Sequence, residues 1–385
     1  MAYKPPLMDL HIATTRRGFY SGFTRSVAIP SKILVSALIV WAITVPENAA
    51  SVLNALNGAM LSSFASWYIW VVALFLLLCI GLALVPSTGR LVLGLPDDKP
   101  EFSRFSWFSM MFGAGIGIGM LTFATAEPMY HFANNPNVII GETTGSASSN
   151  VTAAYVWSFL HWGFSAWACY ALVGLSLAYF SYRRGLPLTV RSGLTPLFGK
   201  HLSGIGGHIV DIVAVVATIL GVAQTLGFGV EQFVAGLSRI GFGDWIISEN
   251  GKPSAMGIVV ALIVILGAST LSALSGVGKG IKWLSNLNMG LSFFLLAFFI
   301  IFGSTFFGLG SLVSGLSAYL VELPRMLFTV WHADGTETGD ALAAWQGGWS
   351  VFYWAWWIAF APFVGVFLAR ISRGRSIREY VLGAI

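Results

Sequence analysis

Charge is what this sequence has least of. Only 10% of its 385 residues are Asp, Glu, Lys or Arg, against roughly 25% in soluble domains, while 56% are hydrophobic. A globule of this size cannot hide so much apolar surface, which excludes an ordinary water-soluble domain and leaves the bilayer as solvent. Cysteine is nearly absent. Cys79 and Cys169 lie inside apolar runs, so they read as small buried residues and exclude a disulfide framework. The N-terminal segment to Arg25 lacks the apolar core and small-residue cleavage site of a secretory signal. No HExxH, P-loop or CxxC pattern occurs. His161 and His208 have no second ligand or nucleophile at useful spacing and read as structural. An enzyme, a bound cofactor and a nucleic-acid partner are therefore not expected.

What is present is long apolar runs. A spanning helix needs about 20 mostly apolar residues, and eight stretches qualify, near 28–46, 65–86, 106–126, 152–182, 208–238, 255–275, 284–310 and 349–369. With these spans, every Lys and Arg except Arg239, Lys252 and Arg325 falls on one side of the membrane. The positive-inside rule makes that side cytoplasmic and puts the N-terminus there, so the net charge of +5 reports topology. The expected organisation is a cytoplasmic segment 1–27, two leading helices and a loop over 28–105, five helices over 106–310, an outer amphipathic helix and loop over 311–348, and a last helix and loop over 349–385. The chain stops at Ile385 in what reads as the opening of a ninth span, so it is expected to be truncated.

Two features carry chemistry. Gly113, Gly115, Gly117 and Gly119 alternate through the third span. Gly113/Gly117 and Gly115/Gly119 are small-xxx-small pairs, whose plain meaning is helix packing. Four glycines on more than one face, each costing roughly 1 kcal/mol relative to Ala, favour a helix broken at mid-membrane, whose freed backbone groups bind an ion or an anionic group. Aromatics are the second feature. Tyr353, Trp356, Trp357 and Phe360 fall at i, i+3, i+4, i+7, and Trp162, Trp167 and Tyr170 share about half of another helix. An interfacial belt explains Trp67, Trp70 and Trp107 near span ends. The two inner clusters fit a cage for a quaternary ammonium, worth about 2 kcal/mol or more per desolvated ring. Asp211 and Glu231, near the two ends of the fifth span, read as interface or helix-end groups.

The glycine run ending in Ala126-Glu127-Pro128 resembles the signature of the betaine/carnitine/choline transporter family, as do Ser275-Gly-Val-Gly-Lys-Gly-Ile-Lys-Trp-Leu-Ser285 and Phe352-Tyr-Trp-Ala-Trp-Trp-Ile358. Pro362-Phe-Val-Gly365 and Ala369-Arg-Ile-Ser-Arg-Gly-Arg-Ser376 are similar to it too. The resemblance implies an all-α, inverted-repeat (5+5), broken-helix membrane fold, a homotrimer in the cell membrane, and solutes such as glycine betaine, choline, carnitine or dimethylsulfoniopropionate. It implies that Trp162, Trp167, Tyr170 and Trp357 form the central box, that Trp356 lies on the inner exit path, and that Gly115, Ile116 and Gly117 present backbone to substrate or ion. Phe360 stands where many members carry Trp, and Thr122 where some carry an aromatic.

Sodium is the coupling ion the resemblance implies, because Gly119 replaces the Asp of proton-coupled members. One family sodium site would draw on Thr218 and Phe363, with Val222 in place of a second hydroxyl. The other would draw on carbonyls near Ala114 and Ile116. The expected activity is secondary transport by alternating access. A channel, lacking any charged ring or lined pore, and a truncated chain that transports nothing are the rivals.

Overall fold

The computed structural model describes residues 10–115 and 117–385, leaving aside the side chains of residues 118, 120 and 121. The described residues are helical, with two isolated bridges, Val92–Ser376 and Ile247–Pro253, and no strand among them. The principal helices are α1 (Arg25–Thr44), α2 (Pro46–Leu84), α3 (Arg104–Gly115), α4 (Ile118–Ala133), α5 (Asn150–Trp162), α6 (Phe164–Ala178) and α7 (Ile205–Arg239). They continue as α8 (Ala255–Ser275), α9 (Lys282–Phe302), α10 (Thr305–Met326), α11 (Glu337–Gln346), α12 (Phe352–Ile371) and α13 (Ile377–Ala384). Among the described residues, eight helical stretches are long and apolar enough to cross a bilayer. The chain is an all-helical, multi-span membrane protein.

Two compact units divide it. The first takes in the chain through Glu101, then His131–Leu220 and Ser314–Ile385. Here α2 buries Ile69, Val72, Ala73, Leu76, Cys79 and Ala83, a spacing that puts them on one helical face. The crossing of α6 and α12 is closer still. A Cβ at Gly365 would come within 3.0 Å of the Gly174 backbone nitrogen, and one at Gly174 within 3.1 Å of the Gly365 carbonyl oxygen. Small residues let the two backbones approach in this way. The basic loop after α12 is tied down by its own backbone: Leu93 N–H donates to the Arg375 carbonyl (2.8 Å) and Gly374 N–H to the Leu93 carbonyl (2.9 Å). Arg373 pairs with Asp98 at 2.9 Å and Arg370 with Glu101 at 2.7 Å.

The second unit comprises Phe102–Tyr130 and Gly221–Val313. In it α3 packs on α9, where Asn286 Nδ2 donates to Ser106 Oγ at 3.3 Å. Gln232 of α7 donates to Thr122 Oγ1 of α4 at 2.6 Å, and Phe123 meets Phe228 edge-on at 6.4 Å. Val230, Val234, Ile246 and Ala261 make its small buried core.

Several expected boundaries move. The second span begins at Pro46, not 65; Pro at the first helical position starts it, and the Asn and Ser residues scattered over 48–63 lower hydropathy without breaking the helix. The helix expected from 311 begins at Thr305, and by length and composition it qualifies as a span. Its start follows Gly303-Ser304, a helix stop and a polar cap position that hydropathy over a 20-residue window averages away. The eighth span begins at Glu337, through α11 and a widened turn at Gly347–Val351. The expected third span is two helices: α3 ends at Gly115, Gly117 is non-helical, and α4 starts at Ile118. Neither half is long enough alone, so the total stays at eight with one stretch exchanged for another.

Candidate functional site

Local breaks in α5–α6 position the first group of rings. The helix stops at Trp162, turns at Gly163 and resumes at Phe164. Gly163 is required by close approach, since a Cβ there would lie 2.5 Å from the Phe159 carbonyl oxygen and 3.1 Å from the Tyr319 hydroxyl. The break turns Trp162 towards α12, where it meets Trp357 edge-on at 5.4 Å, Tyr353 at 5.4 Å and Trp356 at 6.1 Å. Tyr170, two turns further along α6, meets the same Trp357 at 5.0 Å, and Trp167 meets Tyr170 at 6.0 Å. Trp356 contacts Phe360 at 6.3 Å. The six expected aromatic residues are thus joined in one chain of ring contacts inside the first unit. Trp357 and Tyr170 are buried, the other four half-buried.

Three further residues contribute: Tyr353, already placed in the aromatic cluster by its spacing, and His161 and Gly163, which sequence reasoning did not assign to the site. Tyr353, almost fully buried, contacts both Trp162 and Trp356; its place on the shared helical face was the available signal. His161 is the second. Its carbonyl accepts from Trp357 Nε1 at 3.0 Å, its Nε2 lies 2.9 Å from Ser350 Oγ, and its ring stacks on Tyr353 at 4.9 Å. Read as structural, it turns out to hold two of the rings. The third is Gly163, which ends α5 with a Cβ position 2.5 Å from the Phe159 carbonyl oxygen; a glycine at a helix end was the available signal.

The glycine segment belongs to the second unit. Gly113 faces Ser285, 3.4 Å from where its Cβ would be, as a packing residue does. Gly115 closes α3 and is half-buried beside Ala114, Gly119 is buried, and Gly117 is exposed with only a Thr225 methyl at 3.9 Å. Ile116 lies outside the described residues.

Thr218 and Phe363 do come together, lining one groove of about 480 Å³ in the first unit. Thr218 Oγ1 donates to the Ala214 carbonyl at 2.7 Å. The other lining side chains are apolar, such as Leu188, Ile219 and Val366, or cationic, as Arg370 is. One hydroxyl among them is a poor oxygen cage for a hard cation. Asp211 is a helix-end partner: Arg191, fully buried, pairs with it at 2.7 Å and also reaches the Leu202 carbonyl (3.2 Å) and His208 Nδ1 (3.1 Å). Glu231 is exposed.

Comparison with known proteins identifies the family. A family model described as betaine/carnitine/choline family transporter matches residues 26–385. Glycine betaine transporter OpuD of Bacillus subtilis is 38% identical over 354 residues, 91% of this chain and 65% of that protein. Betaine/ectoine transporter LcoP of Corynebacterium glutamicum is 39% identical over 365 residues, 94% of this chain and 55% of that protein. An uncharacterized transporter of Mycobacterium tuberculosis is 40% identical over 362 residues, covering 94% and 58%. The chain spans between half and two thirds of the length of these curated relatives. With its aromatic and glycine motifs inside the matched region, the chain belongs to the betaine/carnitine/choline transporter family.

Proposed function

We propose that this chain forms part of a secondary transporter, not an enzyme, that takes up a quaternary-ammonium solute such as glycine betaine, choline, carnitine or dimethylsulfoniopropionate by alternating access. The observation that carries the reading is the ring set around Trp357: Trp162 and Tyr170 meet it from two sides at 5.4 and 5.0 Å. Desolvated indole and phenol faces attract a cation that has no N–H to donate. The rings now hold one another edge-to-face, so an entering ammonium group would replace ring–ring contacts by ring–cation contacts. Gly115, Gly117 and Gly119 would supply backbone groups to the substrate's anionic end or to an ion.

Binding to the purified chain is the test. Trp162→Ala or Trp357→Ala should raise the dissociation constant for glycine betaine at least tenfold, since one ring at about 2 kcal/mol exceeds the 1.4 kcal/mol that makes a factor of ten. Trp357→Phe should cost less. Unchanged binding in both Ala variants would overturn the box.

Energy would come from an ion gradient, with sodium as the ion, because residues 105–126 contain no carboxylate to carry a proton. The single hydroxyl of the Thr218–Phe363 groove makes that place at most a partial ligand set. Vesicle uptake driven by a sodium gradient alone, and not by a proton gradient alone, is the expected result. A homotrimer in the cell membrane with a cytoplasmic N-terminus completes the proposal, on the charge asymmetry of the loops and the family resemblance.

A further inference from the structure

The stretch from Leu10 to Pro46 contains Arg16, Arg17, Arg25 and Lys32 and no acidic residue. Its first part is folded against the first unit. Leu10 is buried with Leu186 and Leu202, with Ile12 packed beside them. Thr15 N–H donates to the Phe23 carbonyl and Gly22 N–H to the Thr15 carbonyl, closing a tight loop that presents Arg16 to Tyr20. Two cations from α1 converge on that loop's Tyr20 ring, Lys32 Nζ at 4.7 Å and the Arg25 guanidinium at 5.9 Å. Phe19 is 86% exposed. Exposed aromatics among cations at a span's end suit the membrane interface.

Beside this cluster runs a groove of about 450 Å³ between the loop, α1 and the start of α7, lined by Phe23, Val27, Ala28, Val215 and Ile219 with Lys32 at its edge. Asp211 also lines it, but its carboxylate is already held by the buried Arg191 at 2.7 Å. The groove therefore has Lys32 on its lining, with Arg25 beside it on the same Tyr20 ring, and a lining otherwise apolar apart from Thr24, Ser31, Thr189 and the paired Asp211. We propose that it is a binding site for an anionic phospholipid, with the headgroup phosphate on Lys32 and Arg25 and an acyl chain along Val27, Ala28, Val215 and Ile219. A zwitterionic lipid gains less, because each cation near anionic lipid adds attraction that its own ammonium would cancel. The site is separate from the aromatic box and does not depend on the transport reading.

Lipid binding to the purified full chain in detergent, read by native mass spectrometry, tests it. Phosphatidylglycerol should bind at least tenfold tighter than phosphatidylcholine with the same acyl chains. Lys32→Gln with Arg25→Gln should remove most of that preference, on the order of tenfold. Val215→Trp, filling the groove, should weaken both lipids. A phosphatidylglycerol carrying a photoreactive acyl chain should label the unaltered protein within residues 12–28 or 211–219, so the placement is tested even if a variant fails to fold. Equal binding of the two lipids, a preference that survives the double substitution, labelling elsewhere, or inorganic phosphate competing as well as the lipid would each overturn the proposal.

Discussion

Two pairs of helices in this chain teach opposite lessons about apolar sequence. In the stretches that carry α6 and α12, 56% and 44% of the apolar windows are buried; in α8 and in the stretch that carries α9 the figures are 11% and 0%. Yet α8 has the fewer polar interruptions. Hydropathy says which residues tolerate lipid, and lipid is as apolar as a protein core, so it cannot say which helices pack. What separates the pairs is residue size and shape. The α6–α12 crossing has facing glycines and interlocked rings, whereas a Cβ at Gly267 of α8 or Gly290 of α9 would meet nothing within 4 Å. Exposed Ile263, Leu266, Phe293 and Phe294 are the surface a bilayer solvates.

The sharpest way to break this contrast is to fill the glycines. Gly365→Leu should abolish recovery of folded protein, because even its Cβ would lie 2.6 Å from Val173 Cγ1, 2.9 Å from Val173 Cβ and 3.0 Å from the Gly174 backbone nitrogen; ordinary overpacking costs about 1–3 kcal/mol, and here a stiff β-branched side chain and the α6 backbone are both in the way. Gly267→Leu and Gly290→Leu should fold normally, and with Gly removed from a helix interior they gain a few tenths to 1 kcal/mol. Size-exclusion profiles and thermal melts in detergent would show it. Similar losses at all three positions would mean that α8 and α9 pack as tightly as α6 and α12.

A second, smaller effect compares two acids on one helix. Asp211→Ala leaves the fully buried Arg191 without its carboxylate, which should cost about 3–5 kcal/mol and appear as a large drop in melting temperature. Glu231→Ala, exposed on the same α7, should change stability by less than about 0.5 kcal/mol. The third effect is functional. Trp357→Ala should cost at least tenfold in glycine betaine affinity, while Trp283→Ala, 63% exposed at the start of α9, should leave affinity unchanged.

How much was legible follows the same division. The Tyr353–Phe360 cluster could be read because helical spacing alone places it on one face, whereas Trp162 on α5 and Trp167 and Tyr170 on α6 reach α12 from either side of the break at Gly163. The glycine break between Gly115 and Ile118 was legible from composition. Gly163 was passed over inside a continuous apolar run, although its tightest constraint is local, a Cβ there lying 2.5 Å from the Phe159 carbonyl oxygen; only its 3.1 Å approach to the Tyr319 hydroxyl is long-range. Arg191 was counted as one more cytoplasmic charge, and nothing local marked it as buried. The start of α10 at Thr305 was lost because hydropathy averages over Gly303-Ser304-Thr305, a short stop-and-cap signal between two apolar helices.

The smallest predicted effect lies outside the membrane, where the loop after α12 meets Asp98. The hydrogen bond from Arg373 holds the Asp98 carboxyl below its ordinary range, with burial opposing it and the Leu95 N–H and the Arg373 charge adding smaller lowering effects. A carboxyl depressed on folding stabilises fully above its unfolded value of about 3.9. That contribution is lost as pH falls through the lower folded value. Stability from this pair should therefore be flat between about pH 8 and 5 and decline only below about pH 4. Arg373 is half-exposed, so the pair is worth no more than about 0.2–1 kcal/mol and should weaken in salt. Asp98→Asn isolates the charge, since its side-chain oxygen can still accept from Leu95 N–H, now 2.9 Å away. The expected result is a slightly lower melting temperature than wild type at pH 7, with the gap narrowing as pH falls below the unfolded value and closing once it passes below the folded one. A gap that stays equal across that range would assign the loss to loop geometry and remove the ion pair from the list of what fastens this loop.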